Sequence, residues 1–179
     1  MTTDDDCPSV SVPRLQTSRL RLRELRQADF EAYAANQADP VAMKHMSGVH
    51  DRRTAWRTFS ALAGNWMLQG IGWWAIERLH DLAYVGSVGV FYREGAGDLE
   101  MGWFVLRSHW RQGIAAEAGR AALDYAIGVL AAPRVTALID PGNVASIAVG
   151  ARLGFRYEKD VDFYGQPTSL YACGDTVSR

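Results

Sequence analysis

Two short segments carry residue types and spacings that suit ligand chemistry. The first reads Val105-Leu106-Arg107-Ser108-His109-Trp110-Arg111-Gln112-Gly113-Ile114-Ala115-Ala116-Glu117-Ala118. A strand ends, a short loop contains a glycine, and a long helix begins. Such a junction turns free backbone N–H groups and the positive end of a helix toward an anion. Gly113 lets a phosphate approach the backbone, Ala115 and Ala116 keep the first helical turn uncluttered, and Arg111 adds a charge suited to phosphate. Plain helix packing produces the same junction, so it is weak evidence by itself. The second segment is Asn143-Val144-Ala145-Ser146, followed by Leu153-Gly154-Phe155. Asn143 and Ser146 lie one helical turn apart and can hydrogen-bond an amide- or thiol-bearing ligand. Helix capping by Asn143 is the alternative reading.

Several other chemistries are excluded. Gly113 is not followed by Lys-Ser or Lys-Thr, so the loop is no Walker A motif. No G-x-G-x-x-G joins a first strand to a helix, so the dinucleotide fingerprint is missing. Cys7 and Cys173 sit near opposite ends without a C-x-x-C, which argues against a disulfide framework or a zinc site. With 19 basic and 20 acidic residues the formal net charge is -1, so no global field attracts nucleic acid or an anionic membrane. No stretch approaches the ~20 apolar residues of a membrane span, and the acidic start lacks the features of a secretory signal. A cytoplasmic enzyme or binding module is expected.

The elements that must position these segments follow from periodicity. At 179 residues, with 48% hydrophobic and 22% charged residues, the chain suits one domain with its own core. Residues 1–14 read as a disordered tail and 15–179 as a single domain. Arg19-Leu20-Arg21-Leu22-Arg23 alternates as a half-buried strand, its arginines forming a solvated face or, less expectedly, an anion site. A helix is predicted over Ala28–Gln37, stopped at Asp39-Pro40, and another over Arg52–Leu68, closed by Gly70-Ile71-Gly72. Strands are predicted at Trp73–Arg78, Leu82–Tyr92 and Leu99–Leu106, an antiparallel meander because the connections are too short for crossovers. A buried helix over Gly113–Leu130, a strand at Val135–Ile139 and a helix over Asn143–Leu153 follow. Strands at Phe155–Phe163 and Ser169–Ala172 complete the order β-α-α-β-β-β-α-β-α-β-β, an α/β layer structure.

Together the two segments resemble the GCN5-related N-acetyltransferases, the GNAT family. Trp110-Arg111-Gln112-Gly113-Ile114-Ala115 matches the family's acetyl-CoA loop Q/R-x-x-G-x-G/A, with Trp110 departing at the first position. That variant looks like the ribosomal-protein-alanine acetyltransferase branch, the RimJ/RimL type. Asn143 to Phe155 matches that branch's N-x-x-S-x-x-v-x-x-x-L-G-F. Thr17-Ser18-Arg19-Leu20-Arg21-Leu22-Arg23 and Leu99-Glu100-Met101-Gly102-Trp103 match as well, in order. The resemblance spans residues 15–173.

The resemblance implies the GNAT fold, a mixed and mostly antiparallel sheet of about seven strands flanked by about four helices. It implies acetyl-CoA as cofactor, with CoA as product and no metal. The strand at Leu99–Leu106 is then expected to splay from that at Val135–Ile139 and to hold pantetheine in the gap. Phe104, Val105, Leu106 and Arg107 would border the cofactor, as would Arg111, Gln112, Gly113, Ile114, Ala115 and Ala116 around its pyrophosphate. Asn143, Ser146 and Arg152 complete the implied cofactor-binding set. The implied reaction is direct acetyl transfer to a primary amine through a tetrahedral intermediate, with a backbone N–H near Phe104 or Val105 as oxyanion donor.

Glu100 is the best candidate base. In a strand it shares a face with Gly102 and Phe104, opposite Met101 and Trp103, and Gly102 would leave room for substrate or a bridging water. Its alternative is a surface glutamate; Glu77 and Asp98 are weaker bases. Many family members place a tyrosine seven residues after the asparagine to protonate the thiolate. Gly150 stands there, so Ser146 is the substitute and Tyr164 a second candidate. The segment Val41–Asp51, the second helix and the turn Phe163–Thr168 would build the acceptor pocket. Trp56, Trp73, Trp74, Trp103 and Tyr164 are its candidate lining, with core packing as the alternative for the tryptophans. The acceptor would be a small-molecule amine or a protein N-terminus, without nucleic acid or membrane, and a homodimer is the implied assembly. A cofactor-binding sensor without catalysis and an acyltransferase for longer acyl-CoA are the competing readings.

Overall fold

A computed structural model describes residues 10–174 of the chain. Cys7 and most of the expected tail, residues 1–9, lie outside the described residues, as do residues 175–179. The remainder of that expected tail packs on the body: the carbonyl of Pro13 accepts the Trp74 indole N–H at 2.7 Å, and Arg14 pairs with Glu24.

The strands are β1 (Leu15–Gln16), β2 (Leu20–Arg23), β3 (Trp73–Arg78), β4 (Tyr84–Tyr92), β5 (Leu99–Val105), β6 (Arg134–Ile139), β7 (Arg156–Phe163) and β8 (Gln166–Gly174). The helices are α1 (Phe30–Gln37), α2 (Arg52–Gln69), α3 (Ile114–Gly128) and α4 (Val144–Leu153). Among the described residues the strands form one sheet in the order β1-β2-β3-β4-β5-β6-β8-β7. All neighbours are antiparallel except β5 and β6. This is the expected mixed α/β sheet, with β1 as an added short strand.

Alternation assigns the two faces. Leu20, Leu22, Trp74, Ile76, Val88, Val90, Leu99 and Met101 pack with the α3 residues Ile114, Ala118, Ala122 and Leu123. On the opposite face Ala75, Tyr84 and Phe104 pack against Phe30 and Tyr33 of α1 and Phe59 of α2. Helix ends follow the local chemistry: Asp51 accepts the Thr54 N–H at the start of α2, and left-handed Gly70 and Gly154 close α2 and α4.

The expected arginine face of β2 is corrected. Arg23 is buried under α1, where Asp29 and Glu77 neutralise it at 2.8 and 2.6 Å. Arg19 lies in the bend before β2, which breaks the alternation, and its guanidinium reaches Glu117 of α3. Burial penalises the Arg23 cation, but the hydrogen bonds to the two carboxylates outweigh this and raise its pKa. Among the described residues no helix is long and apolar enough to cross a membrane.

Candidate active site

The pairing of β5 with β6 stops early. Leu99 pairs with Val135 and Glu100 with Thr136, and no later residue of β5 is registered with β6. The Leu106 N–H donates to Val85 O, which fixes the alternation along β5: Phe104 and Gly102 turn their backbone groups to β4. Met101, Trp103 and Val105 therefore turn theirs toward β6; the Met101 N–H closes the last pair, at Thr136, and Trp103 and Val105 face a wedge inside the sheet. A strand edge left open between two strands is a place where an extended, amide-bearing ligand can pair as an extra strand. The expected splay is thus a property of this chain. Of the two expected oxyanion donors, the Val105 N–H faces the wedge and the Phe104 N–H faces β4.

At the wide end of the wedge the chain leaves β5, makes a 3-10 turn at Arg107–His109, and enters α3. Arg111 (φ 61°) and Gly113 (φ 77°) are both left-handed, a backbone that turns successive N–H groups to one side. The Trp110 indole donates to Val105 O at 2.8 Å and so takes that end of the open edge. Arg107 is anchored elsewhere: its guanidinium pairs with Asp39 at 3.0 Å and its N–H donates to Asn36. Arg111, Gln112 and Gly113 are exposed, Ala115 and Ala116 half-buried, and Ile114 buried in the core. Arg19 braces the loop by donating to the Gln112 carbonyl at 3.2 Å and to Glu117 at 2.7 Å. Burial alone would raise the Glu117 pKa; hydrogen bonds from Thr17 and Arg19 reverse this and hold it low.

The other wall of the wedge is α4. Asn143 is its N-cap, its side-chain oxygen accepting the Ser146 N–H at 3.1 Å, so the capping reading is correct for Asn143. That cap uses the backbone of Ser146 and leaves its hydroxyl for other partners. Arg152 lies on the last turn, about 13 Å along the axis from Asn143 at the standard rise per residue.

Glu100 sits on the opposite face, at the last paired position of β5, with 7% of its surface exposed. Arg93 grips both of its oxygens, Nε to Oε2 at 2.8 Å and Nη2 to Oε1 at 2.5 Å. The Arg93 guanidinium lies 4.4 Å from the Phe163 ring centroid, and Phe163 meets Tyr164 edge-on at 4.7 Å. The Glu100 bond raises the Arg93 pKa, burial opposes it, and the Tyr164 hydroxyl adds to the rise. Glu100 and Tyr164 are thereby brought into one cluster; Tyr164 is 84% exposed at the tip of the β7–β8 turn.

Several expectations are corrected. Gly102 leaves no room beside Glu100: a methyl placed there would meet Trp73 Cη2 at 2.6 Å. Trp74 is core, fully buried, and Trp56, partly exposed, meets Phe30 edge-on and stacks on Phe59 of the α1–α2 layer. Trp73 does cover the Glu100 face, stacked on Phe91 at 5.4 Å. Glu77 belongs to the buried Arg23 network and Asp98 pairs with Arg134; like Glu100, both are held by an arginine.

Sequence reasoning missed Arg93 and a His–Asp pair. Arg93 and Glu100 lie at the two ends of the short connection between the predicted strands Leu82–Tyr92 and Leu99–Leu106, so the hairpin itself signalled their proximity. His45 Nδ1 lies 2.9 Å from Asp140 Oδ2, and the contact lowers the Asp140 pKa. This ties the segment between α1 and α2 to the end of β6, while Arg107–Asp39 ties it to the end of β5. The segment therefore straps the wide end of the wedge. Nothing local in the sequence joins residues 95 positions apart.

Comparison with known proteins agrees with this geometry. The family model described as acetyltransferase (GNAT) domain matches residues 19–156. The chain is 32% identical over 161 residues to YkkB of Bacillus subtilis (strain 168), an uncharacterized protein, covering 88% of this chain and 94% of that one. An acetyltransferase from Agrobacterium tumefaciens str. C58 is similar at 30% identity and TM-score 0.84, over 92% of this chain and 96% of that chain. RimJ of Mycobacterium smegmatis, solved in complex with CoA-disulfide, shares the fold at 24% identity and TM-score 0.68, over 86% and 81% of the two chains.

Proposed function

This chain belongs to the GNAT acetyltransferase family, and from that premise we propose that it moves an acetyl group from acetyl-CoA to a primary amine. The observation that carries the reading is the open backbone edge at Trp103 and the Val105 N–H, leading to the left-handed loop at the start of α3. The residues present fit the cofactor: an open edge for an amide-bearing arm, and a nest with Arg111 for a pyrophosphate. The CoA held by the RimJ neighbour supports the same reading. When bound, the cofactor supplies an acetyl group activated as a thioester.

The chain's own residues divide the remaining work. Gln112 to Ala116 offer N–H groups to phosphate, helped by Arg111 and with Arg19 bracing the loop. The Val105 N–H lies where developing negative charge on the carbonyl oxygen would need a donor. Ser146, on the first turn of α4, offers its hydroxyl to the sulfur. Glu100 takes the amine proton; since Arg93 holds both its oxygens, one of those contacts opens as the proton arrives. Tyr164 and Phe163 border the acceptor, which enters from the Glu100 face. The acceptor is a primary amine, of a protein N-terminus or of a small molecule.

The test is thiol release from acetyl-CoA over a panel of N-terminal peptides, polyamines and amino sugars. Amine-dependent release with a matching mass gain of the acceptor is the expected result. Tight acetyl-CoA binding with no release for any amine would favour the sensor reading. Faster release from butyryl-CoA would favour the longer-acyl reading.

A further inference from the structure

Among the described residues three carboxylates are buried, Asp29, Glu77 and Glu100. Two of them are shared. Asp29 takes both Nη groups of Arg23 and the Arg26 N–H, and Glu77 takes Arg21 and Arg23. Glu100 has Arg93 as its one side-chain partner among the described residues. A carboxylate offers about four lone-pair positions, and the grip of Nε and Nη2 uses one on each oxygen. Glu100 therefore keeps acceptor capacity that no described residue consumes, at the position where the pairing of β5 with β6 ends.

Arg93 is itself held. It follows directly on β4, and its guanidinium lies 4.4 Å from the Phe163 ring centroid and 5.8 Å from that of Phe91. Phe163 ends β7, and Phe91 is the partner of Glu100 in the β4–β5 ladder. A planar guanidinium resting on aromatic rings has little freedom left to lose when it forms a two-pronged bond. The other charges of these strands are engaged elsewhere. Asp98 and Glu158 pair with Arg134, Asp160 accepts from Ser169, and Asp162 accepts the Gly165 N–H. Glu94 is exposed in the turn, and the titratable groups acting on Arg93 are Glu100 and Tyr164. Toward β3 the cover is Trp73 stacked on Phe91, without charge.

We propose that Arg93 is the positioning residue of the base Glu100, aiming its carboxylate at the acceptor amine and supplying the positive charge that a buried carboxylate requires. The β7–β8 hairpin holds Arg93 in that role through Phe163. This rests on the acetyltransferase reading, with Glu100 as its base, and adds a residue to it. As the amine nitrogen bonds to the acetyl carbon, the carbon–sulfur bond breaks and the sulfur keeps the electron pair. The amine proton passes to Glu100, and the thiolate takes a proton from solvent on release. Arg93 keeps all its protons, and its hold weakens as the carboxylate is neutralised. Aim matters because a misplacement of ~1 Å can cost about 10²-fold in rate. Charge matters because a buried carboxylate without its cation is harder to ionise.

The test separates aim from charge. Wild type, Arg93→Met, Arg93→Lys and Glu100→Gln are assayed across the pH range with acetyl-CoA and the amine that releases thiol fastest in the panel. Arg93→Met should lower kcat about 10- to 100-fold and move the acid limb of kcat/KM up by about one pH unit. Its acetyl-CoA Kd should change less than about twofold. Arg93→Lys keeps the charge and loses the two-pronged grip, so its acid limb should stay near that of wild type while kcat recovers only in part. Phe163→Leu should lower kcat about threefold in wild type and not further in Arg93→Met. Arg93→Met with wild-type kcat, or with a lowered kcat and an unmoved acid limb, would overturn the proposal, since a purely structural ion pair gives that result. Where Arg93→Met does not fold, wild-type kcat in both Arg93→Lys and Phe163→Leu would overturn it. Full turnover by Glu100→Gln would remove the base itself, and this inference with it. Loss of turnover in Glu100→Gln beside an unaltered Arg93→Met would overturn this inference alone.

Discussion

Glu100 and Arg93 show how much a single contact changes a residue's chemistry. The strand pattern placed Glu100 on a face with Gly102 and Phe104, and the fold confirms that face. What the pattern missed is that Arg93 occupies both carboxylate oxygens and that Trp73 fills the space over Gly102. Both contacts come from neighbouring strands, which one strand's own sequence does not reveal. Asn143 was legible because capping is local: its side chain and the Ser146 N–H are three residues apart. Glu100→Gln keeps the shape and removes the proton acceptor. It should lower kcat at least 100-fold, a magnitude of about 10² to 10⁴ for a general base, with acetyl-CoA affinity unchanged. Parallel turnover assays and calorimetry check this; full turnover would remove Glu100 from the role of base.

At the scale of elements, helices and strands were readable because their periods are local. A buried helix over Gly113–Leu130 and the Leu20–Leu22 alternation were visible before any contact was known; the fold narrows the helix's buried surface to one stripe, with Ile114, Ala118, Ala122 and Leu123 in it. The wedge was not readable from pattern alone, since side chains alternate identically on paired and unpaired stretches of β5. Its expectation came through the family resemblance, and the register bears it out. The loop into α3 depends on Gly113, whose φ is +77°. A β-branched residue there carries a left-handed penalty of about 1–2 kcal/mol, and a methyl would already sit 3.4 Å from Arg19 Nη2. Gly113→Val is expected to weaken acetyl-CoA binding about tenfold and to lower Tm by a few degrees. Unchanged affinity would show that the left-handed loop is not the anion site.

Across the whole molecule, charge is organised as paired ions rather than as a field, in keeping with the net charge of -1. Burial pushes the Glu24 carboxyl up, but Arg14 and Arg26 outweigh it and hold it at about 2. Arg78 likewise holds Asp81 at about 2. Depressed carboxylates stabilise the fold above their unfolded values, about 4, and that contribution is lost as pH falls toward 2. Tm should therefore be level from about pH 7 to 5 and fall steeply below about 4; a level Tm down to pH 2 would refute the ion-pair account.

The central claim is that the wedge and the loop beside it hold acetyl-CoA. Calorimetric titration of the intact protein with acetyl-CoA, alongside CoA and butyryl-CoA, tests it most directly. The account predicts saturable one-to-one binding in the micromolar range, about -8 kcal/mol. No detectable binding of any CoA species would contradict it.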